Sequence, residues 1–118
     1  MILQVWGIRD SMKKKREYEL CAGRLKALAD PDRLRLVEQL FSGPLNVSQL
    51  SEALEEEIVK ISHHLGVLRH ADVVRTEKQG RFVIYSLHPD VVAVGRDESM
   101  AQARRIDFGC CSVELESK

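Results

Sequence analysis

Cysteine supplies the most reactive chemistry in this 118-residue chain, and two of its three cysteines are adjacent, Cys110-Cys111 in the tail DFGCCSVELESK. Neighbouring residues hold their α-carbons about 3.8 Å apart. Both sulfurs therefore reach one ion only if that ion accepts an acute, incomplete ligand set. Trivalent arsenic and antimony do so as three-coordinate pyramidal centres that prefer sulfur. Tetrahedral zinc would need two more ligands, and no histidine lies near the pair. Two further readings of the same residues stay open: incidental thiols, and a redox pair whose disulfide formation changes activity. Cys21 stands alone at a helical position, where a cysteine often serves as a small buried apolar residue.

The composition limits what surrounds these thiols. With 18 basic and 18 acidic residues the net charge is zero, so any nucleic-acid contact must come from local charge. At 44% hydrophobic and 31% charged, the chain has the balance of one folded domain. It carries no apolar run of transmembrane length and no signal-peptide pattern, so a cytoplasmic protein without membrane attachment is expected. An odd cysteine count with an adjacent pair does not form a disulfide framework.

The elements follow from periodicity and punctuation. An amphipathic pattern runs from Met12 to Ala29, and the DPDR step then offers Asp30 as a cap and Pro31 as a first helical residue. RLRLVEQLF continues as a second helix to Ser42-Gly43-Pro44. Asn46 and Gln49 have capping-box spacing before a short helix, VSQLSEAL. Ile58, Ile61, Leu65 and Leu68 mark a fourth helix close behind it, so the pair forms a helix-turn-helix. The period then changes to two: VVRTE and RFVIYSL flank KQG as a hairpin, with Val83, Tyr85 and Leu87 expected to face inward. DVVAV begins a final helix of uncertain extent, and the tail beyond Ile106 has an extended pattern. The expected fold class is mostly α with a small β-hairpin (α+β), in the order of a winged helix-turn-helix. Its divisions are an N-terminal extension at 1–11, the winged helix-turn-helix domain at 12–106, to which the resemblance below adds DNA binding and dimerisation, and the cysteine tail at 107–118.

LKALADPDRLRLVEQL, LSEAL, ISHHLGVLRHADVV and the hairpin KQGRFVIYSLHP together resemble the ArsR/SmtB family of bacterial repressors over about residues 18 to 92. The resemblance implies a homodimer that sets two recognition helices into successive major grooves of double-stranded operator DNA, half-sites about 34 Å apart. Carried onto this sequence, it assigns DNA contacts to Val59, Lys60, Ser62 and His63, with His64 on the backbone or packed inside. Val59 stands where relatives often carry a polar residue, and a thymine methyl is the contact it fits. Lys78 and Arg81 would follow the phosphates or enter the minor groove from the wing. Glu55, Glu56 and Glu57 would be repelled by phosphate and should point away. The run Lys13 to Arg16 reads as a solvated helix face.

Two inducer sites recurrent in the family do not fit. The third helix, NVSQLSEAL, has no cysteine, and DVVAVGRDESMAQARR has no histidine for a zinc site across the last helices. The tail pair resembles the vicinal cysteines of arsenic-responsive members. The family's dimer interface, built from the first and last helices, would bring Cys21 toward Cys110 and Cys111 of the same or the partner subunit as a third ligand. The implied function is a repressor released by arsenite, antimonite or another soft metal ion, with no obligatory cofactor. A thiol-based redox-sensing repressor is the alternative within the family. A small thiol-dependent enzyme and a winged-helix protein-interaction module are the alternatives outside it, and no Cys-x-x-Cys supports the enzyme.

Overall fold

The computed structural model describes residues 2–92 and 104–115, with side chains described from residue 15 onward. Helix α1 spans Ile2–Leu28, longer than the periodicity suggested. No proline or capping stop interrupts the chain between Ile2 and Met12, and one internal glycine costs only about 1 kcal/mol relative to alanine. The division expected at residue 11 therefore falls inside a helix.

Asp30 ends α1 and starts α2 (Pro31–Leu40), its carboxylate accepting from the Asp32 and Arg33 amides with Pro31 in the first turn. Strand β1 (Leu45–Asn46) leads into α3 (Val47–Leu54), where Asn46 and Gln49 form the expected reciprocal capping box. Between α3 and α4 (Ile58–His70), Glu55 takes a left-handed conformation with φ of 55°, and the Ser51 hydroxyl donates to the Glu56 carbonyl. This tight turn sets the angle between the two helices.

Strands β2 (Val74–Gln79) and β3 (Phe82–Leu87) pair antiparallel, and β1 adds to the far edge of β3. Gln79 faces Phe82, so Gly80 and Arg81 form a two-residue turn; Gly80, with φ of 61°, supplies the positive φ that a primed hairpin turn requires. The inward face expected of Val83, Tyr85 and Leu87 fills only toward the base. Leu87 is buried and Tyr85 half-buried, whereas Val83 is 42% exposed because the wing extends past the core.

Leu36, Leu50, Ile61, Leu65 and Leu68 are fully buried and join α2, α3 and α4 in one core. Ile58, assigned to the same apolar face, is 53% exposed. It lies in the first turn of α4, beyond the reach of that core.

The tail is more ordered than its sequence suggested. Strands β4 (Arg104–Asp107) and β5 (Ser112–Leu115) form an antiparallel hairpin, and Val92 bridges to Ile106. The boundary placed at residue 107 thus cuts a strand. Ile106 and Phe108 are buried in the main core, and Arg104 ties the hairpin to α2 through Glu38 at 2.7 Å. The final helix expected to begin in DVVAV does not start there, because Asp90 and Val91 lie in a turn and Val92 is drawn into the bridge with Ile106; its expected continuation over 93–103 lies outside the described residues. No helix among the described residues is long and apolar enough to cross a membrane.

Candidate DNA interface and thiol cluster

On α4, the four assigned DNA-facing residues before His64 have different surroundings. Val59 is 79% exposed, and Ser62 and His63 are exposed. Lys60 is exposed as a residue, but its ammonium lies 3.2 Å from Asp32 and 3.3 Å from Glu56. These hydrogen bonds raise the Lys60 pKa above the ordinary lysine value and keep it cationic. Glu56 also meets Arg35 at 3.6 Å, so its carboxylate faces cations of its own subunit, as its repulsion from phosphate would require.

His64 is buried rather than set on the helix surface. Arg33 Nη1 donates to its Nδ1 at 3.2 Å, and its Nε2 lies 3.6 Å from Asp32 Oδ2. In this geometry His64 joins α4 to α2 and does not offer its ring to DNA. Asp30, Asp32 and His64 also converge closely enough to suggest an ion site. Arg33 and Lys60 already occupy that space with positive charge.

Partial burial pushes the Asp30 carboxyl up, but the Arg33 and Asp32 amides and the Arg33 guanidinium outweigh it and hold the pKa below the ordinary aspartate value. Sequence reasoning identified Asp30 as a cap but missed the network built from Asp32, Arg33, Arg35 and Glu56. Its only sequence trace is the dense alternation of charges in DPDRLR, which does not specify partners on another helix.

At the wing, Lys78 and Arg81 are both exposed near the Gly80 turn. Two exposed cations at a hairpin tip suit phosphate or a narrow minor groove.

The cysteines converge within one chain. Cys21, 1% exposed on α1, and Cys110, exposed in the β4–β5 turn, are joined as a disulfide with α-carbons 6.2 Å apart. The free Cys111 thiol lies 3.8 Å from the Cys21 sulfur and 3.7 Å from the Cys110 sulfur. The turn that carries them is built locally: Gly109 has φ of 90° and donates to Asp107 Oδ1 at 2.8 Å, and the Phe108 amide donates to the Cys111 carbonyl at 2.9 Å. Phe108 in the core then fixes the turn against α1.

A capped helix-turn-helix with a cationic hairpin wing defines a winged-helix DNA-binding protein. The family described as bacterial regulatory protein, arsR family, matches residues 30–76. The HTH-type transcriptional regulator NmtR of Mycobacterium tuberculosis is 40% identical over 88 residues, 75% of this chain and 73% of the relative. The arsenical resistance operon repressor of Escherichia coli is 42% identical over 69 residues, 58% of this chain and 59% of that protein. Among solved structures, reduced HlyU from Vibrio cholerae has a TM-score of 0.59 at 32% identity, covering 64% of this chain and 80% of that one. The chain belongs to the ArsR family of transcriptional regulators. Members of this family are regulators of transcription rather than enzymes, and the winged helix-turn-helix DNA-binding domain Mb0332 of Mycobacterium bovis, similar in fold, is itself described as homodimeric.

Proposed function

We propose that a homodimer of this chain represses transcription from an operator in the cytoplasm and is released by a thiophilic metalloid or soft metal ion, trivalent arsenic or antimony foremost. Cys21, Cys110 and Cys111 of one subunit hold the inducer. The observation that carries this reading is the convergence of all three sulfurs within 4.8 Å of one another.

Their spacing fits a common ligand. Sulfurs bound at about 2.3 Å around one ion, at near-tetrahedral angles, lie about 3.7 Å apart. Two of the three separations, 3.8 and 3.7 Å, already match. The Cys21–Cys110 pair must be reduced and open to a similar spacing. Three thiols then condense with arsenite, each thiol proton leaving with a hydroxyl group as water, so three S–H and three As–O bonds break and three As–S and three O–H bonds form. No electrons are transferred. A three-sulfur set suits a soft pyramidal centre better than tetrahedral zinc, which requires a fourth ligand.

Inducer binding would be coupled to DNA through the hairpin. The turn meets α1 at Cys21, while Arg104 holds the same hairpin to α2, and α1 also packs against α4. A dimer arrangement favoured by the filled thiol site but mismatched to operator spacing needs a coupling of only about 1 to 3 kcal/mol. The similarity to an arsenical resistance operon repressor supports the inducer class.

The test is an operator gel shift with the DNA upstream of the chain's own gene, titrated with arsenite, antimonite, cadmium, zinc and peroxide. Cys21→Ser, Cys110→Ser and Cys111→Ser should each retain DNA binding and lose release by arsenite. Release of the three variants at the parent's arsenite concentration would reject the thiol site.

The Cys21–Cys110 disulfide favours a second reading, a redox-sensing repressor. Peroxide then takes two electrons from the two thiols, forming the S–S bond and two waters. Release by peroxide that requires Cys21 and Cys110 but not Cys111 would select this reading.

A further inference from the structure

The outward face of α4 carries one large apolar side chain at its N-terminal end, Val59, with the exposed Ser62 and His63 following it. Ile61, His64, Leu65 and Leu68 are buried and fix the inward side. At 3.6 residues per turn the opposite side centres on Val59, with Ser62 and His63 in the next turn and Gly66 in the turn after that. Val59 is the most exposed large hydrophobic residue among those described, at 79%. Lys60, the single lysine or arginine between Ile58 and Leu68, is held by Asp32 and Glu56.

Gly66 is equally unexplained by the subunit's own packing. A β-carbon built there meets nothing within 4 Å, so no neighbour in the subunit requires glycine, although glycine is a poor residue for a helix interior. Its position on the Val59 side keeps that surface low where a longer side chain would hold an approaching partner away. The partner of this face in the family is the major groove. The thymine C5 methyl is the apolar group displayed there.

We infer that α4 reads the operator with Val59 packed on a thymine methyl and with Gly66 letting the following turn sit close to the base edges, Lys60 being excluded from base reading. This inference rests on operator binding and is independent of the inducer. It predicts a half-site that favours a 5-methylpyrimidine opposite the first turn of α4.

The test uses the parent homodimer and duplexes that it selects from a random-sequence pool. Each thymine is replaced in turn by deoxyuridine, which removes the methyl and keeps every hydrogen-bonding group. Loss of one methyl contact should weaken binding about fourfold per half-site, and about fifteenfold when both symmetric positions are changed. Val59→Ala should bind the thymine and deoxyuridine duplexes equally, because the methyl has lost its partner. Lys60→Ala should retain the full methyl sensitivity. Gly66→Ala should weaken binding to every selected duplex while its far-UV circular dichroism melt stays at or above the parent's.

Methyl sensitivity at no thymine, or sensitivity that survives Val59→Ala, would overturn the inference. Undiminished binding by Gly66→Ala would remove the close-approach role. The deoxyuridine series on the parent uses unmodified protein, so a failure to fold cannot imitate a lack of methyl sensitivity. Absence of any selected duplex would count against operator binding itself, a different failure from loss of methyl sensitivity.

Discussion

Reducing the Cys21–Cys110 disulfide should lower the thermal midpoint by an amount calculable from chain length. The two residues are 89 apart in sequence. Closing a loop of that length restricts the denatured chain by about 4.6 kcal/mol at 25 °C in the loop-entropy treatment. Unfolding entropy of about 2.1 cal/mol/K per residue gives the whole chain about 0.25 kcal/mol/K, so the expected difference is about 18 °C as an upper value. The assay is calorimetry on oxidised and phosphine-reduced protein at one fixed protomer concentration, since dimerisation also moves the midpoint. Cys110→Ser is the cleaner variant because Cys110 is exposed, whereas Cys21→Ser also puts a hydroxyl in a buried site. Both variants should melt identically with and without reductant, and Cys111→Ser should keep the full shift. A vicinal Cys110–Cys111 disulfide closes almost no loop and would give almost no shift. Oxidised parent that melts within a few degrees of reduced parent, with the thiols shown to be consumed, would refute the placement of the hairpin turn against α1.

Two further expectations concern the DNA-binding body. Asn46→Ala removes half of the capping box that starts α3 and should cost about 1 kcal/mol of stability, measured by urea denaturation, with Asn46→Asp nearly neutral. The depressed Asp30 pKa means that its ionised form stabilises the fold above the unfolded value of 3.8 and that this contribution is lost as pH falls through the lower folded value. Asp30→Asn keeps a capping oxygen without the titration, so its stability should vary less than the parent's with pH below about 4 in acid denaturation.

The local elements were legible because their causes are local. Asp30 caps α2 from two and three residues away, Asn46 and Gln49 cap α3 across one turn, and Gly80 makes the wing turn from its own φ. The helix-turn-helix and its hairpin therefore followed from periodicity and caps, whereas the expectation that α4 reads DNA came from the family resemblance. The length of α1 did not, because a helix without a stop signal continues as far as its surroundings favour. Nor did the tail hairpin, whose alternation is weak and whose strands depend on burying Ile106 and Phe108 in the core of another part of the chain.

The sequence by itself determined which side chains this protein has for soft-ion or redox chemistry and, through the family resemblance, which helix is expected to face DNA. Only the tertiary structure decided how those residues are used. Cys21 and the vicinal pair meet because the β4–β5 turn packs on α1, a contact between segments 89 residues apart that no local pattern encodes. Lys60 turns toward Asp32 and Glu56, and His64 goes inside, because charges from α2 lie beside α4 in space. Electrostatic and packing partners are chosen by distance in the fold, so side-chain direction is settled only when the helices have docked.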